Sequence, residues 1–239
     1  MIDYFVSGTK SLKRLITTQL NLGLLPAELG WQPVPYSPCQ EAFERFSPRW
    51  FQAVFQHLLA RVSFKAIPEL AAFGTVCCID GSLFPVISSM LWAAYTSPHQ
   101  ALKLPLCFAL NRLIPVACGV GSGHSNERQA LRRRLVAGVT YLADRGYLSF
   151  QLGYDICHAQ AHCLCRTKTN RCFTVVESWS VVLPAAAQGL FPAVTDELIR
   201  YDNDPHGVLY RWVRLVIGQA TYCWLTDRPD WTTFHIILL

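Results

Sequence analysis

Two short apolar runs that end alike constrain the fold of this 239-residue chain more than any other feature. Residues 75–79 (TVCCI) lead into Asp80-Gly81, and residues 139–143 (VTYLA) lead into Asp144-Arg145-Gly146. Short apolar or β-branched runs bounded by turn residues read as buried strands. If the two strands are neighbours, Asp80 and Asp144 project from one sheet edge into a common cleft. Paired carboxylates there can share divalent cations, about 3.5–4 Å apart in two-metal sites, that stabilise both the attacking and the leaving oxygen. Mg²⁺ suits this use because it keeps waters and substrate phosphate as its other ligands. The plainer reading of Asp-Gly is a turn.

The rest of the chain supports a mixed α/β core. Ser47-Pro48 is a helix start, a cap followed by proline at the first helical position. Beyond it Phe51, Val54, Phe55, Leu58, Leu59 and Val62 form one apolar helical face. Another helix is expected at 12–25, with the proline-rich stretch 31–38 as a linker between them. Residues 104–110 and 113–120 flank Asn111-Arg112 as a hairpin, which Pro105 and Pro115 assign to a sheet edge. Ser125 caps a helix to about 136, with Glu127 as an acid in its first turn. A helix over 150–161 and strands at 172–176, 210–217 and 221–226 follow. Asp230 caps a final helix over 231–239.

Composition excludes several classes. A hydrophobic fraction of 51% and a charged fraction of 15% rule out disorder. The longest uncharged stretches each carry two prolines and several hydroxyls, so no membrane span or membrane partner is expected. The N-terminus has an acid before its basic residues and no apolar core, unlike a signal peptide. The expectation is a cytoplasmic protein whose ten cysteines are reduced thiols. The 21 Lys and Arg against 16 Asp and Glu leave a charge of +5, which suits a polyanion.

The segments IDGSLFP (79–85), ADRGY (143–147) and YRWVRLVIGQATYCWLTDRPD (210–230) resemble bacterial insertion-sequence transposases of the DDE type. These have a ribonuclease H-like core and belong to the group marked by a Tyr-x2-Arg-x3-Glu-x6-Lys signature. The resemblance implies an α/β fold with a ribonuclease H-like mixed sheet flanked by helices. It implies a helical N-terminal region over 1–70 that recognises transposon ends. A core over 71–239 would follow, with a β-rich insertion at about 166–218. Asp80 and Asp144 would bind Mg²⁺ or Mn²⁺ and direct in-line attack on a phosphodiester, with Arg145 and Tyr147 near the DNA backbone. The partners implied are transposon-end and target DNA at the nucleoid, with synapsis as a dimer.

The chain departs from that family at its end. None of its nine tyrosines has arginine three residues on, and the signature helix is expected after the TDRPDW segment. The resemblance therefore implies that the catalytic glutamate lies beyond residue 239, and that this polypeptide alone neither transposes DNA nor assembles its dimer. The alternative is a non-catalytic DNA-binding or regulatory remnant. Asp227, closing a third apolar run, is the substitute carboxylate that spacing offers.

Other motifs compete. Gly119, Gly121 and Gly123 after an apolar run imitate a dinucleotide-binding turn, but His124 and Asn126 stand where the third glycine belongs. Cys157, His158, His162, Cys163, Cys165 and Cys172 invite a zinc reading, with His158 and His162 on one helical face. Arg128, Arg132, Arg133 and Arg134 line one helix, and Arg166, Lys168 and Arg171 flank a loop. Such runs are solvated faces or, in a phosphodiester-handling protein, backbone contacts that position without reading sequence.

Overall fold

The computed structural model describes residues 35–45, 47–61, 67–85, 94–96, 99–169 and 172–239. The expected helix at 12–25, residues 31–34 of the linker and Arg171 lie outside them. The chain divides into two compact units, Met1–Ser63 and Phe64–Leu239. In the first, α1 (Tyr36–Arg45) begins inside the stretch read as linker, and α2 (Pro48–Arg61) begins at the expected cap. The Arg49 amide donates to Ser47 Oγ at 3.3 Å.

The second unit is a mixed sheet. Its strands are β1 (Thr75–Pro85), β2 (Ala94–Thr96), β3 (His99–Ala109), β4 (Ile114–Cys118), β5 (Gly121–Ser122) and β6 (Val139–Ala143). They continue with β7 (His162–Arg166), β8 (Phe173–Ser178), β9 (Ala193–Tyr201), β10 (Leu209–Ile217) and β11 (Ala220–Thr226). The order is β2-β3-β1-β6-β7-β11-β10-β9-β8, with β4 and β5 also on β3. β1, β6 and β7 run parallel, and the remaining pairs are antiparallel. Among the described residues, no helix is long and apolar enough to cross a membrane.

Asp80-Gly81 does not turn the chain. β1 continues through it to Pro85, because β3 pairs with it residue by residue from Cys77↔Ala109 to Pro85↔Ala101. A continuous ladder outweighs the local preference of one Asp-Gly pair. The expected hairpin is present, and Pro115 lies on an outer strand beside a register shift between Cys107 and Phe108, but Pro105 is not at an edge, since β3 pairs with β1 on one side and with β4 and β5 on the other. At its tip, Asn111 accepts from the Val76 amide at 2.8 Å and donates to the Gly74 carbonyl at 2.6 Å. That side chain fixes where β1 begins.

Helices cover both faces of the parallel centre. α3 (Glu127–Arg132) is shorter than expected and is capped by Asn126 instead of Ser125, the Asn126 side chain accepting from the Gln129 amide. α4 (Phe150–His158), capped by Ser149, makes the crossover that parallel β6 and β7 require. α5 (Ala185–Gln188) precedes β9. α6 (Thr233–Leu238) is capped by Thr232 in a box with His235. Asp230, the expected cap, instead pairs with Arg228. On the α6 face Phe73, Val76, Leu164, Val213, Trp231 and Ile236 form a buried cluster, with Ile237 and Leu239 packed against it.

A buried ion pair joins the outer strands to this face. Arg211 on β10 donates to Asp196 on β9 through Nε at 2.7 Å and Nη2 at 2.5 Å. It also donates to the Trp231 carbonyl ahead of α6.

Candidate functional site

The ladder between β1 and β6 runs from Thr75↔Val139 to Cys78↔Leu142. Continued two residues, that register sets Asp80, midway along β1, beside Asp144, the residue that follows β6. Neighbouring strands lie about 4.8 Å apart, close enough for two carboxylates to share a cation. The ladder between β6 and β7, ending at Ala143↔Cys165, sets Arg166 next in the same row. Alternation puts Asp80 on the β1 face of Val76, and Asp144 on the β6 face of Leu142. Both aspartates and Arg166 are exposed, at the rim of the face that α6 covers.

Local hydrogen bonds hold both carboxylates. The Gly81 amide donates to Asp80 Oδ1 at 2.8 Å. The Gly146 amide donates to Asp144 Oδ1 at 2.8 Å, capping the turn Arg145–Tyr147. Arg128 Nε on α3 donates to the Gly146 carbonyl at 2.8 Å, tying that helix to the turn.

Tyr147 is buried, with 2% of its surface exposed, so its side chain faces the protein and not solvent. Among the described residues its hydroxyl completes no hydrogen bond. Burial, then the Glu127 carboxylate by charge and by a contact short of a well-formed hydrogen bond, then Asp80 and Asp144, all keep its proton on. Glu127 also lies against the Gly81 backbone, since a Cβ there would sit 2.3 Å from Glu127 Oε1. Lys103 on β3 balances it, with Nζ 3.1 Å from Oε1.

Past Arg166 the rim turns aromatic. The Arg166 guanidinium lies 5.2 Å from the centroid of the Tyr222 ring. Tyr222 stacks on Trp224 with centroids 6.1 Å apart and an interplanar angle of 23°. Arg145 is exposed, and with Arg214 it partly offsets the rise that burial gives the Cys223 thiol. Of the arginines on α3, Arg132 is paired with Asp155. Arg133 is the exposed cap, and Arg134 lines a cavity with Cys77, Cys107 and Tyr141.

The competing motifs do not assemble. Asp227 accepts from the Cys163 amide at 2.7 Å and lies 3.0 Å from His162 Nδ1. It therefore sits about three residues, or ~10 Å, down the strands from the Asp80–Asp144 row. His158 ends α4 and His162 begins β7, so they share no helical face. Cys163 and Cys165 are buried. Among the described residues, no three His, Cys, Asp or Glu side chains converge on a ready-made metal site. The glycines at 119–123 follow an outer antiparallel strand, where no parallel β-α-β turn exists to cradle a pyrophosphate.

Burial, then the Asp227 charge, raises the Cys157 thiol to about 11. Thiolate, not thiol, is the nucleophile. Alkylation at Cys157, followed by peptide mass mapping, is therefore expected to stay slow at pH 8 and to rise toward pH 11. Fast alkylation at pH 8 would contradict that environment.

Compared with known proteins, the chain matches no family model and no curated protein. Sequence reasoning passed over Glu127, which it took only as a first-turn acid. The signal was Gly81, whose lack of a side chain makes room for that carboxylate.

Proposed function

We propose that this chain is a metal-dependent DNA phosphodiester enzyme of the DDE transposase type, with a ribonuclease H-like core. The observation that carries the reading is the register that sets Asp80 beside Asp144 on adjacent parallel strands. The order β4-β3-β1-β6-β7, antiparallel through β3 and parallel from β1 to β7, supports the ribonuclease H-like part. The β-rich insertion is then the antiparallel addition β8 to β10.

Hard oxygen donors at an exposed rim fit Mg²⁺ or Mn²⁺, and Asp80 and Asp144 would hold it. When bound, the cation stabilises charge on the attacking and leaving oxygens of the phosphodiester. Arg166 and Arg145 then pair with backbone phosphates, and Tyr222 and Trp224 offer ring faces to bases. The burial of Tyr147 gives it a place behind the carboxylates, and Arg145 is the residue of that motif that faces DNA. Such a protein works in the cytoplasm, at the nucleoid.

The test is nicking of supercoiled plasmid with Mg²⁺ or Mn²⁺. Asp80→Asn is expected to lower the nicking rate about 100-fold or more, and chelation to abolish it. DNA binding without nicking, weakening steeply with salt, would instead favour a non-catalytic DNA-binding protein.

A further inference from the structure

We propose that the cavity under α3 binds a small carboxylic acid, with its carboxylate on Arg134 and its apolar body between the helix and the sheet. The site is separate from the two aspartates and does not rest on the metal-dependent reading above. Cys77 and Ile79 line the cavity, and Asp80 alternates to the opposite face of β1.

Neighbouring strands build the walls. Cys77 stands beside Tyr141 across β1 and β6, and Ile79 opposite Cys107 across β1 and β3. Cys107 in turn stands opposite Ala117 on β4. Leu131, buried on α3, lines the space from the helix side. The Tyr141 hydroxyl is already engaged, accepting from the Val136 amide at 3.0 Å and donating to the Arg134 carbonyl at 3.1 Å. The walls are therefore apolar in effect, and such a space takes an apolar occupant more readily than water. Its volume is about 380 Å³, toward the small end of the ~300–1,000 Å³ usual for ligand sites.

The charge around the cavity selects an anion. Arg134 is exposed, and its guanidinium lies over Gly119, where a Cβ would stand 3.1 Å from Nη2 and 3.5 Å from Nη1. Glycine at 119 thus leaves room for the head group to rest between β4 and α3. Among the described residues that guanidinium has no ion pair and no hydrogen bond. Arg112, at the hairpin tip, lines the same cavity. Glu127 is the one acid in the described lining, and Lys103 Nζ answers it at 3.1 Å. One positive fork beside an apolar space matches one carboxylate on an apolar body, since guanidinium and carboxylate meet through two parallel hydrogen bonds.

Calorimetric titration of octanoate into the full chain tests this, with octanol as the same chain lacking the charge. Octanoate is expected to bind once per chain, and octanol about tenfold more weakly. Arg134→Met is expected to weaken octanoate about tenfold or more, because hydrogen bonds to a charged group are the strong ones. Ala117→Phe places a ring in the cavity and is expected to abolish binding with Arg134 intact. If the unaltered protein takes up no octanoate, the proposal is overturned. It is equally overturned if octanol binds as tightly as octanoate, or if Arg134→Met leaves octanoate binding unchanged. Should Ala117→Phe fail to fold by circular dichroism, Arg134→Met, at an exposed position, decides with the octanol comparison. None of these outcomes bears on Asp80 and Asp144, which plasmid nicking tests.

Discussion

Asp196→Ala is expected to cost about 3–5 kcal/mol, because it strands a buried guanidinium. Asp196 and Arg211 are 2% and 4% exposed. The pair is bidentate, and Thr233 Oγ1 donates to Asp196 Oδ2 at 2.6 Å. Arg211 also donates to the Arg228 carbonyl at 3.3 Å and to the Trp231 carbonyl. One guanidinium thus fastens β9 and β10 to the segment leading into α6. Removing the aspartate leaves the charge desolvated and loosens that segment. A fall in Tm on the order of 10 °C follows for a unit of this size. The double replacement Asp196→Leu with Arg211→Met removes both charges and is expected to recover much of the loss. A thermal melt unchanged in Asp196→Ala would show that the pair does not bear on folding.

Gly153→Ala on α4 is expected to cost about 3 kcal/mol, the upper end for overpacking a core. A methyl at Gly153 would stand 1.8 Å from Tyr210 Oη and 3.0 Å from its Cζ. Tyr210 is 3% exposed, so its ring must shift within the packed interior to make room. Alanine ordinarily favours a helix over glycine by about 1 kcal/mol, so the sign of the change separates packing from propensity. Adding Tyr210→Phe deletes the clashing oxygen and is expected to restore part of the stability. Chemical denaturation of the single and double variants measures both effects.

Much of the fold was legible because apolar runs bounded by turns leave little choice. β6, β10 and β11 begin and end within a residue or so of the pattern. β7 was missed because His162, Cys163 and Cys165 read as metal ligands, whereas Cys163 and Cys165 face α4 and His162 meets Asp227. β9 was missed because Asp196, Glu197 and Arg200 break its apolar pattern. Asp196 is nonetheless buried, and only Arg211, distant in sequence, makes that tolerable. Asp230 was read as a helix cap, but its Arg228 neighbour claims it and leaves Thr232 to cap α6.

The site was half legible. Asp80 and Asp144 follow from two similar run endings, and the ladder between β1 and β6 supplies the alignment that sequence left conditional. Arg166 and Tyr222 reach the rim from other elements, so no local spacing announces them. Asp227 had the right local pattern and the wrong register.

The continuity of the sheet has a mechanical consequence. The path from β2 to β8 crosses nine strands, about 38 Å at the usual spacing, without a break in pairing. That length is near one turn of duplex, about 34 Å. A ribbon laced by backbone hydrogen bonds resists bending in its plane, and the Arg211 clasp stiffens the far third. Load applied at β8 therefore reaches the Asp80–Asp144 rim through a lever and not through a hinge.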